Sequence, residues 1–420
     1  MKRKSILLSS ILLLASIVLS ACIGLIPLET DEPAPGSYGP QITAKEHQTQ
    51  TFDALWTLTK ENYIYYETAD VKWDSLRADY QAEINKGLTA EQFDELLKGL
   101  ENDLPESSFI YQSRAERIEE DIADNSTYEG IGAFVGFNAE PEPHVILLSI
   151  IEGSPAEKAG LKAHDSIYAI DGSPVLLEEG IEAVQRVRGP AGTTVALTVL
   201  SPGKAKRIVE VKRGRLATNT QIQAYQIKGT NYGYILFPPI AYTSMLDDIL
   251  NAMQTFATNQ KLEGMILDLR IAGSSSNWPL EELLTLFSNG EIGDFYNRTA
   301  QQTITVQGQD VLGSQSMPLV VLVGRNTQGF PEILAGSLQE QKRAIVIGEA
   351  TTGTIESSTT FLLPDGSRIF LQTTTFALSN GEQIGLDGIK PDIEIEAGWD
   401  DVLPNQDSVL DAAVKQLESK

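Results

Sequence analysis

Residues 317–354 restrict the fold more than any other stretch of the chain. They read MPLVVLVG, RNTQGFPEILAGSLQEQ, KRAIVIGE and ATTGT in succession. Leu319–Val323 is a continuous apolar, β-branched run of strand length, as suits a strand buried on both faces. Residues 332–341 carry Ile333, Leu334 and Leu338 at helical spacing. Residues 344–347 form a second apolar strand, and Gly348 and Gly353 punctuate the turn beyond it. Strand, loop, helix and strand make a βαβ unit, which predicts parallel strands and a right-handed crossover. A loop at the carboxyl end of such a strand, opening into a helix N-terminus, is a usual place for catalysis or binding.

The same stretch resembles the core of the C-terminal processing (tail-specific) serine peptidases. In that family the strand leads to a Ser-Ala-Ser-Ala-Ser-Glu-type loop and then a helix of the form Ile-x-Ala-Gly-x-Leu-Gln. Glu332, Ile333, Ala335, Gly336, Leu338 and Gln339 match that helix. Gly348 and Glu349 match the Gly-Glu before the family's Thr-x-Gly-Lys turn, and Gly353 matches its Gly. The reacting groups do not match. The family's nucleophilic Ser lies three residues before the Glu, where this chain has Gly329. Its general-base Lys follows the Gly, where this chain has Thr354. The two positions lie 25 residues apart, as in the family, so no gap intervenes. The family's Gln, four residues after the Lys, aligns with Ser358.

A Ser-Lys hydrolase needs a hydroxyl to attack and a neutral amine to take its proton. Gly329 has no hydroxyl and Thr354 has no basic nitrogen. Losing either member of a unit that acts together removes most of its rate. The resemblance therefore implies a serine-peptidase family member without peptidase activity. The alternative is an active serine-type endopeptidase with displaced groups. Thr327, two residues from Gly329, and Lys342 or Lys390 are its candidates, together with the hydroxyls of Ser274, Ser275 and Ser276.

Residues 128–213 carry a second resemblance. GIGA (130–133) opens a strand running to Phe137, and residues 145–151 form another. EGSPAEKAGL (152–161) is a turn and short helix, and DSIYAIDG (165–172) is a strand ending in an Asp-Gly turn. Residues 181–187 read as a helix, GPAG (189–192) as a turn and 195–199 as a strand. Together they resemble a PDZ domain. The resemblance implies strand addition, in which a protein or peptide C-terminus pairs with a sheet edge. Its carboxylate would sit among backbone N–H groups at the Gly130, Ile131, Gly132 and Ala133 loop, where glycine permits close approach. Val184 and Val187 on the facing helix would line an apolar pocket for the last side chain. A PDZ fold that packs only on its neighbour is the other reading.

The N-terminus reads as an export signal. Lys2, Arg3 and Lys4 precede the apolar run 6–19, which is shorter than a membrane span of about 20 residues. LSAC (19–22) resembles a bacterial lipobox, implying cleavage before Cys22 and lipidation of its thiol. An ordinary signal or an uncleaved anchor is the alternative. A lipid would tether the protein to a membrane on its extracytoplasmic face, at the cell surface or in the periplasm. Residues 27–40, rich in Pro, Gly and acids, read as a tether.

Cys22 is the only cysteine, and His47, His144 and His164 are the only histidines. A disulfide framework, a cysteine metal cluster, and a histidine triad or metal site beyond residue 164 are therefore excluded. Neither a metal nor another cofactor is expected. A net charge of −25 repels phosphate backbones, which argues against a nucleic-acid partner.

The expected architecture is multidomain, α/β and α+β. A signal (1–21) and tether (22–44) lead into a helical region (45–125) with stripes Phe52, Leu55, Trp56, Leu58 and Leu76, Tyr80, Ile84. TAEQ (89–92) starts a further helix there with a capping box. Tyr63, Tyr65 and Tyr66 read as helix-packing core, with a binding surface as the alternative. DLPESSF (103–109) resembles the family's Asp-Pro-His-Ser segment, with Glu106 in place of the His. The PDZ unit (128–213), a β-sandwich with two helices, follows. A peptidase-like domain with a ClpP/crotonase-like core (217–398) and a tail or helix (399–420) complete the chain. In that domain YGYILF (232–237) and GMILDLR (264–270) are strands, and residues 244–256 are an amphipathic helix. IAGSS (271–275) replaces the family's Asn-Asn-Pro-Gly-Gly, whose backbone helps to build an oxyanion hole. LPDGS (363–367) marks a hairpin, and GIKPD (388–392) matches the family's Gly-Ile-x-Pro-Asp.

Overall fold

Continuous apolar strands need cover on both faces, and the architecture follows from how that cover is supplied. A computed structural model describes residues 43–105, 108–118, 129–215, 221–258, 261–275, 277–385, 388–403 and 406–419. The expected signal, Cys22, Glu106 and Ser276 lie outside these residues.

The described residues begin with three helices: α1 (Ala44–Asn62), α2 (Trp73–Asn85) and α3 (Ala90–Asp103). Capping boxes at Thr43/Glu46 and Thr89/Gln92 start α1 and α3. Phe52, Leu55, Ile84, Leu97 and Leu100 pack with β1 (Phe109–Gln112) and with Ile369 and Leu371 from far along the chain. Tyr63 is buried in this cluster, and Tyr65 and Tyr66 pack against it.

The middle unit has β2 (Glu129–Gly130), β3 (Ala133–Asn138), β4 (His144–Ile150), α4 (Pro155–Lys158), β5 (Ser166–Ile170) and β6 (Ser173–Pro174). A 3-10 segment (Leu177–Arg186), β7 (Thr194–Leu200), β8 (Arg207–Lys212) and β9 (Gly214–Arg215) complete it. The antiparallel order β3-β4-β5-β7-β8 puts β3 at an edge, with no strand on its outer side among the described residues. Two expectations need correction. The strand expected from Gly130 to Phe137 breaks at Ile131 and Gly132, where the chain leaves the β2–β9 pair for the main sheet. The helix expected over 181–187 is a 3-10 segment starting at Leu177. Gly180 interrupts it at φ 52° and ψ −135°, a conformation strained for any residue with a Cβ.

The last domain has β10 (Gln223–Gln226), β11 (Tyr232–Leu236), α5 (Met245–Ala257), β12 (Gly264–Asp268), α6 (Leu280–Phe287), β13 (Gly290–Tyr296) and β14 (Gln301–Val306). It continues with β15 (Leu319–Val323), α7 (Phe330–Glu340), β16 (Ile345–Gly348), β17 (Ser357–Leu362), β18 (Arg368–Leu378), β19 (Ile393–Glu394) and α8 (Ser408–Glu418). One sheet runs β10-β11-β12-β15-β16-β19 and is parallel except for β10. A second runs β1-β18-β13-β14, with β17 also on β18. The predicted parallel pair is β15–β16, and α7 begins two residues before the expected helix.

Strand β15 shows how the parallel sheet is covered. Leu319, Val321 and Val323 face the cluster containing Met253, Leu283, Ile333 and Leu334 from α5, α6 and α7. Val320 and Leu322 face the other way, onto Val409, Ala413 and Leu417 of α8, Trp399, and Ile146 and Leu148 of β4. The middle unit is therefore part of the cover of the sheet. Each such side chain contributes roughly 1.5–3 kcal/mol when fully buried.

Polar contacts fix this docking. The Trp399 Nε1–H donates to the Leu148 carbonyl at 3.1 Å. Arg270, buried, pairs with Asp268 at 2.6 Å and Asp407 at 2.7 Å, and its guanidinium lies 5.0 Å from the Trp399 ring. Asp407 also caps α8, accepting from the Val409 and Leu410 N–H groups. Two histidines of the middle unit meet the same Trp399–Asp401 turn. His164 Nδ1 bonds the Trp399 carbonyl at 2.6 Å, while His144 meets the Glu142 carbonyl at Nδ1 (2.7 Å) and Asp400 at Nε2 (2.9 Å).

Only an imidazolium donates from both nitrogens. Burial opposes charge on His144, but Asp400 and the Glu142 carbonyl outweigh burial and the Lys206 ammonium and raise its pKa. Burial dominates at His164 and lowers its pKa; Arg270 adds to this, while the Trp399 carbonyl, Asp407 and Asp268 oppose it. The stabilisation from His144 is complete below the unfolded-state value of about 6.5 and is lost as pH rises through the raised folded value. That from His164 is complete above about 6.5 and is lost as pH falls through its lowered value. The histidine contribution to docking is therefore expected to be greatest near about pH 6.5, with His144→Gln removing the loss on the alkaline side. Thermal unfolding midpoints of both proteins across roughly pH 5 to 9 test this, and superimposable profiles would contradict it.

Candidate functional site: a closed helix N-terminus beside an open strand edge

Strand β15 ends at Val323 and the chain turns through residues 324–329 into α7. Thr327 holds that turn. It is buried, its hydroxyl donates to the Leu269 carbonyl at 2.8 Å, and it accepts the Gly324 N–H at 3.0 Å. Its hydroxyl is thus committed to the frame.

Gly329 is the N-cap of α7, at φ 71° and ψ −122°. A Cβ at this position would overlap the Ser274 hydroxyl and lie 2.7 Å from the Ser274 Cβ. The seat that the family resemblance gives to the nucleophile is therefore filled by Ser274 from the loop after β12. The helix N-terminus is also closed electrostatically. The Gly329 N–H donates to Glu332 Oε2 at 2.8 Å and the Phe330 N–H to Ser274 Oγ at 2.6 Å. Pro331 has no N–H, and the Glu332 N–H bonds the Gly329 carbonyl at 2.9 Å. An oxyanion at this end would find these donors engaged.

Glu332 is the hub. Its Oε1 accepts from the Thr351 hydroxyl (2.5 Å) and the Gly353 N–H (2.8 Å). Its Oε2 accepts from the Gly329 N–H, the Thr354 N–H (3.0 Å) and the Thr354 hydroxyl (3.2 Å). Burial is the largest influence on this carboxyl and pushes its pKa up, against the lowering effect of Thr351 and the backbone donors. Thr354, at the position of the family's base, thus helps to satisfy a buried acid.

Among the described groups bonded here there is no amine. Lys342 follows the C-terminal end of α7, and the Lys390 carbonyl bonds Gln339 near that end. An eleven-residue helix separates that end from Gly329 by roughly 16 Å. Ser358 lies on β17, exposed.

The second candidate site is the β3 edge. The Ile131 carbonyl accepts the Ala156 N–H at 2.7 Å and the Gly132 carbonyl accepts the Ile151 N–H at 3.1 Å. The N–H groups of Ile131 and Gly132 have no acceptor among the described residues. The Ile151-to-Gly132 bond makes Ala133 and Ile150 a non-hydrogen-bonded pair, so the Ala133 N–H points out of the free edge. Gly130 lies one residue earlier, paired with Gly214 in the β2–β9 ladder. Three consecutive N–H groups, Ile131 to Ala133, suit a carboxylate. Above the edge, Val187 is buried in the middle unit's core and Val184 packs at its margin. The exposed apolar side chains on that segment are Leu177 (61%) and Ile181 (40%), which periodicity over 181–187 did not single out.

The comparisons agree with this layout. Residues 231–395 match peptidase family S41, residues 146–201 a PDZ domain, and residues 44–100 the tricorn protease C1 domain. The carboxy-terminal processing protease CtpA of Bacillus subtilis is 30% identical over 342 residues, covering 78% of this chain and 70% of that protein. The chain belongs to this family. The carboxyl-terminal-processing protease of Synechocystis is 28% identical over 353 residues, covering 81% and 79%. The solved photosystem II D1 C-terminal processing protease shares the fold, with a TM-score of 0.64 at 21% identity over 90% of this chain and 98% of that one.

Gly329 and Ser274 are expected to be energetically coupled. Gly329→Ala should cost about 2–4 kcal/mol through a strained φ and the overlap with Ser274. Adding Ser274→Gly should recover about 1 kcal/mol or more of that loss. Urea unfolding of the two single variants and the double variant measures the coupling, and strict additivity would refute the shared seat.

Proposed function

We propose that this chain is a non-catalytic member of the carboxy-terminal processing protease family that holds protein or peptide C-termini on its PDZ domain. One observation carries the reading: Ser274 occupies the nucleophile's seat while the first-turn donors of α7 are engaged. The relatives' names describe proteases, and the fold they share is kept here around a pocket without a base. The open N–H groups at Ile131 and Gly132 support a remaining role in binding. We place the protein on the extracytoplasmic face of a membrane, tethered by a lipid on Cys22, from the sequence of residues 1–22. Incorporation of labelled palmitate, lost in Cys22→Ser, tests the tether.

The competing reading is an active endopeptidase with a relocated hydroxyl. It draws on Ser274, which is exposed at a helix N-terminus. Incubation with unfolded protein substrates and a fluorophosphonate probe separates the two. We expect no turnover and no labelled serine. Proteolysis that disappears in Ser274→Ala would establish the competing reading. For binding, Gly132→Trp is expected to abolish capture of peptides with a free C-terminus; because Gly132 holds φ 83° the change also costs roughly 1–3 kcal/mol of stability, so binding is measured well below the variant's own unfolding midpoint. Undiminished affinity would remove the loop from the site.

A further inference from the structure

The docking of the PDZ unit onto the parallel sheet gives a bound peptide a second wall. Along β3, Ala133, Val135 and Phe137 face the PDZ core and Phe134 faces the interdomain cluster with Ile146 and Leu148. Gly136 shares the Phe134 face by strand alternation. A Cβ on Gly136 would overlap the Asn326 carboxamide, whose Cγ would lie 3.1 Å away. Asn326 belongs to the turn between β15 and α7, so the peptidase-like domain reaches the underside of β3. Its side chain makes no hydrogen bond among the described residues.

We propose that Asn326 reads the fourth residue from the end of a peptide added to β3, favouring a hydrogen-bonding side chain there. The inference rests on the PDZ reading above and extends it to a second domain. A carboxylate at the Ile131–Gly132 donors brings the last residue opposite Ala133, whose N–H points out of the edge. The last side chain then shares the Ala133 face, on the side of Leu177 and Ile181. Alternation turns the next side chain down, the third from the end up opposite Val135, and the fourth down opposite Gly136. Directly opposed residues on neighbouring strands hold their Cβ atoms about 4.5–5.5 Å apart on one face. Because Gly136 has no side chain, that space is filled by Asn326, and the fourth residue meets its carboxamide. A carboxamide both donates and accepts, so Ser, Thr, Asn, Gln and Asp suit it.

The test is fluorescence anisotropy of the whole protein with labelled peptides ending in Thr-Ala-Ala-Val or in Ala-Ala-Ala-Val. The wild type is expected to prefer the Thr peptide by roughly three- to tenfold, the range of one neutral hydrogen bond. Asn326→Ala should bring the two affinities together by weakening only the Thr peptide. Leu177→Ser should weaken both equally. Equal affinities in the wild type, or a preference that survives Asn326→Ala, would overturn the inference while leaving the PDZ reading in place. Failure of both peptides to bind the wild type would overturn that reading and this one with it. Unfolding midpoints and the Asn326→Ser variant, which keeps a hydrogen-bonding group, separate a local effect from misfolding.

Discussion

The Glu332 carboxylate holds the candidate pocket together. A buried carboxylate is costly unless donors surround it, and here the α7 N-terminus and the 351–354 turn provide them. The acid and the two turns therefore require one another. Removing donors would strand a buried charge, and removing the acid would strand backbone N–H groups. This mutual dependence needs neither a nucleophile nor a base. It lets the frame persist with Gly329 and Thr354 at the positions that the family resemblance gives to the nucleophile and the base. Thr354 fits that frame because its hydroxyl and N–H both reach Oε2.

The second constraint comes from the strands. Strand β15 is apolar on both faces, and α5, α6 and α7 cover only one. The other is closed by α8, Trp399 and the PDZ residues Ile146 and Leu148. The Asp268–Arg270–Asp407 network ties the last strand residue of β12 to the cap of α8, with the guanidinium beside Trp399. The PDZ unit is therefore set in one orientation by apolar cover and in detail by the Trp399–Asp401 turn. That orientation lays the β3 face over the turn that leads to Gly329.

Much of this was legible in local sequence. The β15, α7, β16 unit follows from continuous apolar runs and helical spacing, and the cap of α3 follows from Thr89 with its partner three residues on; the matching box at Thr43 and Glu46 was not singled out. Other features depend on distance in the chain. Ser274 lies 56 residues from its donor Phe330, and no local pattern brings them together. Glu332 was visible as a helix match, but its role depends on a turn about twenty residues later. The hairpin β13–β14 was not anticipated, because half-exposed polar strands such as QQTITV carry weak periodicity. The segment expected as a helix over 181–187 is 3-10 and joins a further turn at 177–179 across Gly180, whose φ of 52° and ψ of −135° break the run.

The chain contains two versions of one physical device: backbone N–H groups aimed at negative charge. At the α7 N-terminus every early donor is engaged by Ser274, by Glu332 or by the helix itself, so no charge developing there would be stabilised. At the PDZ loop the carbonyls are engaged, and the N–H groups of Ile131 and Gly132 have no acceptor among the described residues. A carboxylate would find unengaged donors at the PDZ loop, whereas the first turn of α7 offers an incoming charge none of its own N–H groups. Reopening the second device requires more than restoring a serine and a lysine, because a side chain at 329 and the present position of Ser274 exclude each other. The loop after β12 would have to withdraw first, so the proposed recognition without hydrolysis rests on the position of Ser274 as much as on the residue at 329.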